Sequence, residues 1–170
     1  PLAERNQTLT VADMSHLPLL MADPDAMQKV FFHLIVNAIK YTPDGGHITI
    51  VGQQVNPADN GIFPGLEIII SDTGIGIDPH YHELIFTKFY QTGELALHSS
   101  GKTSFKGAGP GLGLAIAKGI VEAHKGKIWV ESTGHDEKTC PGSHFHILLP
   151  LRQESKPTNW QESPKVLESV

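Results

Sequence analysis

Lys29, His33, Asn37 and Lys40 recur at steps of four, four and three along residues 25–41, DAMQKVFFHLIVNAIKY, with Tyr41 closing the run. At helical spacing these side chains form one stripe. Cationic groups beside an amide suit an anion and the metal ion that travels with it. Ammonium supplies charge, and an amide oxygen can serve as a hard ligand to a metal ion. The rest of the helix is apolar. Met27, Val30, Phe31, Leu34, Ile35 and Ala38 follow the three-four spacing, and Phe32, Val36 and Ile39 widen that face nearly all the way round. Such a helix is expected in a core. A polar stripe there must meet polar protein groups, water or a ligand, because an unpaired interior polar atom costs on the order of a few kcal/mol.

Two glycine stretches could complete a site. Gly107-Ala108-Gly109-Pro110-Gly111-Leu112-Gly113 leads into a predicted helix. Bare glycines let backbone N–H groups approach an anion, and a helix start adds partial positive charge worth about 0.3–1 kcal/mol for each nearby negative group. Pro110 suits the first turn. Taken alone, the run also fits an ordinary loop with close helix packing. Asp72-Thr73-Gly74-Ile75-Gly76-Ile77 follows a short apolar stretch. Its carboxylate could accept from an amine, and its glycines could let a flat ring lie on backbone. Taken alone, it also fits a turn with a capping Asp.

Other patterns fail on inspection. Ser100-Gly101-Lys102-Thr103 resembles the end of a P-loop, but Ala96 stands at the first glycine position and no apolar strand precedes it. The Gly107–Gly113 run lacks the third glycine of a dinucleotide fingerprint. His82-Glu83 has Phe86 where a zinc helix needs its second His. His144 and His146 point the same way from one predicted strand and read as strand residues rather than a metal pair.

Periodicity places these residues on elements. Residues 7–13 alternate like a strand, and 17–22 form a second strand candidate. Asp23-Pro24-Asp25 starts the first helix, with Asp23 or Asp25 as cap. Pro43 and Asp44-Gly45-Gly46 end it after Tyr41-Thr42. Strands are predicted over 47–54, 66–71, 127–132 and 144–149. A short helix is predicted over 79–85 and a long one over 111–125, with Lys118 and Glu122 paired on its wet face. Residues 86–109 lack periodicity and read as a mobile lid. The chain from 151 to 170 reads as a polar tail or linker. Strands, helix, strands, helix, strands predict a mixed sheet with about three helices on one face, a two-layer α/β (α+β) sandwich occupying residues 1–150.

Composition agrees. A chain of 170 residues, 39% hydrophobic, can build one ordinary domain with a real core. A net charge of -5 argues against nonspecific nucleic-acid binding. Cys140, the single cysteine, can form no internal disulfide and fits a reducing compartment. No apolar run approaches the roughly 20 residues that span a bilayer, and no signal peptide is visible. The chain opens at Pro1 without Met and reads as a piece of a longer protein.

Together and in this order, the motifs resemble the catalytic ATP-binding domain of bacterial sensor histidine kinases, in the superfamily that includes gyrase, the large heat-shock chaperone and mismatch-repair ATPases. HLIVNAIKYTPDGG at 33–46 is similar to the N box, DTGIGI at 72–77 to the G1 box, IFTKFYQ at 85–91 to the F box, and GAGPGLGLAIAKGIVEAHKGKIWVES at 107–132 to the G2 box and its continuation. The resemblance implies the left-handed Bergerat sandwich and binding of ATP with Mg²⁺. It implies that Asn37 holds the metal, that Lys40 and Tyr41 contact phosphate or ribose, and that Asp72 accepts the adenine amino group near Gly74, Gly76 and Ile77. Lys88 would approach the γ-phosphate. Gly107, Gly109, Gly111 and Gly113, with Leu112 and Leu114, would shape the lid hinge and phosphate cradle. Ser143 would help the adenine through water, while Phe86 and Phe89 would anchor the lid rather than touch chemistry, Phe89 lying near the cofactor.

Two residues depart from the family pattern. His33 stands where these kinases commonly have Asn and where hydrolytic cousins have a Glu base. It reads as a hydrogen-bonded replacement, with phosphate contact or proton acceptance as the alternative. Lys88 replaces the usual Arg and lacks its bidentate fork. The implied partners are ATP or ADP, a dimerisation domain bearing the phosphoacceptor histidine, and a response regulator, with no nucleic acid. The implied parent is a homodimer, with this piece monomeric and cytoplasmic; the resemblance is compatible with an inner-membrane anchor on the parent. The competing readings are a related ATPase or protein-serine kinase and a non-catalytic nucleotide sensor.

Overall fold

Asp23 starts the first helix. In a computed structural model that describes residues 2–56, 63–88 and 111–151, its Oδ1 accepts from the N–H groups of Asp25 at 2.9 Å and Ala26 at 3.1 Å. Pro24, which has no N–H to satisfy, takes the first helical position. Helix α1 runs from Pro24 to Tyr41. Replacing Asp23 by Ala lowers stability by about 1 kcal/mol, read as a shift in the urea midpoint; an unshifted midpoint contradicts the capping role.

The other end of α1 is closed by the chain that precedes the sheet. Gln7 Nε2 donates to the carbonyls of Thr42 at 2.7 Å and Ile39 at 3.1 Å. The Arg5 guanidinium donates to the Thr42 carbonyl at 2.8 Å, to that of Ile39, and to Asp44. These side chains satisfy carbonyls that a helix end leaves without partners.

Five strands form one sheet in the order β1-β2-β3-β5-β4. They are β1 Thr8–Val11, β2 His47–Val55, β3 Gly65–Asp72, β4 Lys127–Glu131 and β5 Ser143–Pro150. β1 runs parallel to β2, and every other pair is antiparallel. The second helix, α2, spans Gly113–Ala123. Val30, Leu34 and Ala38 of α1 and Ala117 and Val121 of α2 pack in one core with Ile48, Ile70, Val130, Phe145 and Ile147 of the sheet. The opposite sheet face is mostly polar. There His146 Nδ1 meets Glu67 at 2.9 Å beneath the stacked ring of Trp129, and His144 Nδ1 meets Ser71 Oγ at 2.8 Å. Neither histidine belongs to a metal-binding cluster among the described residues. The result is the expected two-layer sandwich with a mixed sheet.

Several expectations need correction. Residues 17–22 form no strand. Pro18 lacks a donor, Leu19 and Met21 point into solvent, and Leu17 with Met14 packs against Gly52 of β2. Residues 79–85 do not make one helix; two 3-10 turns, Pro79–Tyr81 and Leu84–Phe86, separated by His82 and Glu83, stand there instead. The second helix begins at Gly113, because Gly111 has φ +68, and it ends before Lys125, at φ +62. Helix α1 is not enclosed all round. Phe32 and Val36 are exposed, and only Met27, Val30, Leu34 and Ala38 are buried. Most of the expected lid and of the tail lies outside the described residues.

Candidate functional site

The last turn of α1 and the loop after β3 are bolted together. Ile75 N–H donates to the Tyr41 carbonyl at 3.2 Å, and Thr73 N–H to that of His47 at 3.0 Å. His47 N–H donates to Thr73 Oγ1 at 2.9 Å. A Cβ on Gly74 would lie 2.5 Å from Asp72 Oδ1 and 2.6 Å from the Tyr41 carbonyl. Only glycine fits that approach. The 33–46 and 72–77 motifs therefore share one edge of the molecule.

Asp72 ends β3 and is 7% exposed. Its Oδ1 accepts from Gly74 N–H at 2.8 Å. Burial pushes its carboxyl up to about 6, against the opposing pull of the Gly74 and Ser143 N–H groups. Among the described residues no cation offsets that burial; the offsets are the backbone dipoles of Gly74 and Ser143. A buried carboxylate held this way is an acceptor waiting for a donor.

One member of the polar stripe, His33, faces the start of α2. The His33 ring lies against Gly113, where an added Cβ would come within 2.9 Å of Nδ1. His33 also meets Phe32 edge-on, with ring centroids 5.6 Å apart. Asn37, Lys40 and Tyr41 are half-buried, and the Lys40 ammonium lies 4.9 Å from the Tyr41 ring centre. No described residue bonds the Asn37 side-chain amide. Lys29, by contrast, is exposed. The stripe is thus half-open rather than sealed, which suits a ligand site better than a core contact. Leu112 precedes α2 without a side-chain cap among the described residues, so first-turn N–H groups remain for an anion. Leu114 packs partly into the core.

The remaining candidates are scattered around this edge. Gly76 has φ +75, and a Cβ there would sit 2.0 Å from the Gly134 carbonyl. Ile77 packs on the core. Ser143 is buried and pairs with Asp72 across the β3–β5 ladder. Phe86 is buried edge-on to Phe145, at 6.4 Å, so it fastens the chain where the lid was expected to begin. Lys88 is exposed just beyond it. Phe89, Gly107 and Gly109 lie outside the described residues.

Sequence reasoning missed the chain between β4 and β5. Asp136 N–H donates to the Ile75 carbonyl at 2.8 Å, and Gly142 N–H to that of Gly74 at 2.9 Å. Gly142 has φ +78, and a Cβ there would collide with the Asp72 carbonyl at 2.3 Å. The dipeptide Pro141-Gly142 was the available signal for a tight turn. Nothing in it pointed to Asp72.

Residues 22–153 match the family described as histidine kinase-, DNA gyrase B-, and HSP90-like ATPase. Among curated relatives, the chain is 37% identical over 153 residues to the adaptive-response sensory kinase SasA of Synechococcus elongatus, covering 90% of this chain and 34% of that protein. It is 35% identical over 150 residues to the hybrid signal transduction histidine kinase D of Dictyostelium discoideum, covering 87% of this chain and 9% of that protein. Among solved structures, the mycobacterial sensor histidine kinase MprB superposes with a TM-score of 0.63 at 28% identity, covering 88% of this chain and 87% of that one. The chain therefore spans between about a tenth and a third of the length of these two curated relatives.

Proposed function

The chain belongs to the histidine kinase-, DNA gyrase B-, and HSP90-like ATPase family, and from that premise we propose that it holds Mg-ATP and presents the γ-phosphate to a histidine on a separate dimerisation domain. The observation that carries this reading is the buried Asp72 carboxylate on the same edge as the Asn37–Lys40 stripe and the start of α2, which has no side-chain cap among the described residues. One end of that edge offers an acceptor for an amine. The other offers an amide, cations and bare peptide donors.

The donor set fits the group. Asp72 accepts the exocyclic amine of adenine, and Gly76 leaves backbone for the ring to lie on. Ser143, beside Asp72 in the ladder, steadies the base through water. Lys40 and Tyr41 take phosphate or ribose, and the backbone at Gly111 and Gly113 takes phosphate oxygens. Lys88 approaches the γ-phosphate as a point charge. Asn37 would hold Mg²⁺, which usually keeps several waters and takes few protein ligands. When bound, the ion would supply positive charge to the phosphates. In the transfer, the bond from γ-phosphorus to its bridging oxygen breaks as a bond to the acceptor nitrogen forms. Such transfer asks chiefly for positioning and charge stabilisation. His33, packed on Gly113, positions the α2 start rather than acting as a hydrolytic base.

The acceptor histidine belongs to a dimerisation domain, and a response regulator receives the phosphoryl group next; the parent protein is a homodimer. No described helix is long and apolar enough to cross a membrane. The isolated chain therefore binds Mg-ATP yet incorporates little or no phosphate from γ-labelled ATP. Robust self-phosphorylation contradicts this division of labour.

Asp72 also sets a pH limit. Burial pushes its carboxyl up to about 6, and the protonated form is a poor acceptor for the amine. The preference for Mg-ADP over Mg-IDP, whose base carries a carbonyl in place of the amine, falls roughly tenfold per pH unit below that value. Taking the ratio cancels titration of the phosphates. A ratio constant from pH 7 to pH 5 contradicts the role of Asp72.

A further inference from the structure

Ser132 follows β4 and stands where three strips of backbone converge. Its Oγ accepts from Ile77 N–H at 3.0 Å. Its hydroxyl proton faces two carbonyls, Gly142 at 2.7 Å and Gly134 at 3.1 Å. A Cβ on Gly76 would come within 3.0 Å of the same oxygen. One half-buried hydroxyl thus links the far end of the 72–77 loop to the residue just before Ser143.

Both ends of that link matter to Asp72. Gly142 packs against the Asp72 backbone and donates to Gly74. Ser143 faces Asp72 across the β3–β5 ladder. Gly76 bridges to His135 on the other side. The spacing between the Asp72 carboxylate and the Gly76 backbone therefore depends on the separation of residues 77 and 142. Backbone bonds hold the middle of this brace, at Asp136 N–H to the Ile75 carbonyl, and Ser132 holds its fork.

We propose that Ser132 is a positioning residue for base recognition, acting through Ile77 and Gly142 to hold the Asp72 carboxylate and the Gly76 backbone at the spacing a 6-aminopurine requires. The proposal rests on the reading of Asp72 as the adenine acceptor. Ser132 touches no reacting atom. Without its hydroxyl, Ile77 N–H and the Gly142 carbonyl lose a partner, and the loop can shift relative to β3. A site that selects by one hydrogen bond loses discrimination once that bond lengthens.

The test is the affinity of the whole chain for Mg-ADP and Mg-IDP at pH 7.5, with the melting temperature recorded beside it. The wild-type chain binds Mg-ADP more tightly. In Ser132→Ala the Mg-ADP affinity falls roughly tenfold while that for Mg-IDP stays near wild type, so the preference collapses. In Ser132→Cys, whose thiol is a weaker donor and acceptor, the preference falls by a smaller factor, and this variant carries the test should the alanine chain fail to fold. An unchanged ratio in the folded variant, even with a lowered melting temperature, overturns the proposal by making Ser132 a purely structural brace. Equal losses for both nucleotides overturn it in the same way. A wild-type chain that does not distinguish the two nucleotides refutes the underlying reading of Asp72 instead, a separate and recognisable outcome.

Discussion

Asp72→Asn weakens Mg-ADP binding by about 1.5–3 kcal/mol, through loss of a charge-assisted hydrogen bond in a dry setting. The same substitution stabilises the nucleotide-free fold at neutral pH. Burial raises the Asp72 carboxyl from 3.8 to about 6 on folding. The native state therefore holds the proton more tightly than the unfolded chain. Stability from this group is fully present below the unfolded value and is lost as pH rises through about 6. At pH 7 the folded protein carries a buried charge that Asn lacks, while the Asn carbonyl can still accept from Gly74. The gain is on the order of 1–3 kcal/mol. Urea denaturation at pH 7 and pH 4.5 measures it, and the advantage shrinks at the lower pH. Weaker binding with higher stability marks a residue retained for its ligand. An Asp that serves only as a turn cap gains nothing from this replacement, because Asn caps equally well; a stability unchanged or lowered at pH 7 contradicts the assignment.

Asn37→Ala removes the dependence of nucleotide binding on magnesium. Replacing even an outer-shell partner of a metal ligand costs ~10–100-fold in metal affinity, so removal of a direct ligand costs at least about that much. Asn37 is half-buried and is not one of the buried residues of α1, so truncation leaves the core side chains Leu34 and Ala38 in place. Titration with ADP in magnesium and again in EDTA reads the effect. The wild-type curves separate; those of Asn37→Ala coincide. Persistent separation means that another residue holds the ion.

Much of this site was legible because its parts sit on regular elements or in glycine runs. The three-four spacing around Leu34 and Ala38 marked α1, and Asp23-Pro24 marked its start. The continuous apolar run of β3 located Asp72 at the end of a central strand. What stayed hidden depends on contacts distant in sequence. Gln7 and Arg5 close α1 across more than 30 residues, at separations of 35 and 37 to Thr42. Ser132 reaches Ile77 across 55. Periodicity carries no trace of such pairings. Exposure of Phe32 and Val36 was misjudged because apolar identity does not settle which side a two-layer fold covers. Leu17–Ala22 misled for the same reason: an apolar stretch with Pro18 and an exposed Leu19 can lie as a loop over a sheet edge.

The central claim is that Asp72, Asn37 and the start of α2 enclose one magnesium-bound adenine nucleotide. Isothermal calorimetry of ADP added to the chain with magnesium present tests it most directly. A saturable heat with a stoichiometry of one, weakened by EDTA, is the predicted result. A titration with no heat beyond dilution, from a chain shown to be folded, contradicts the account.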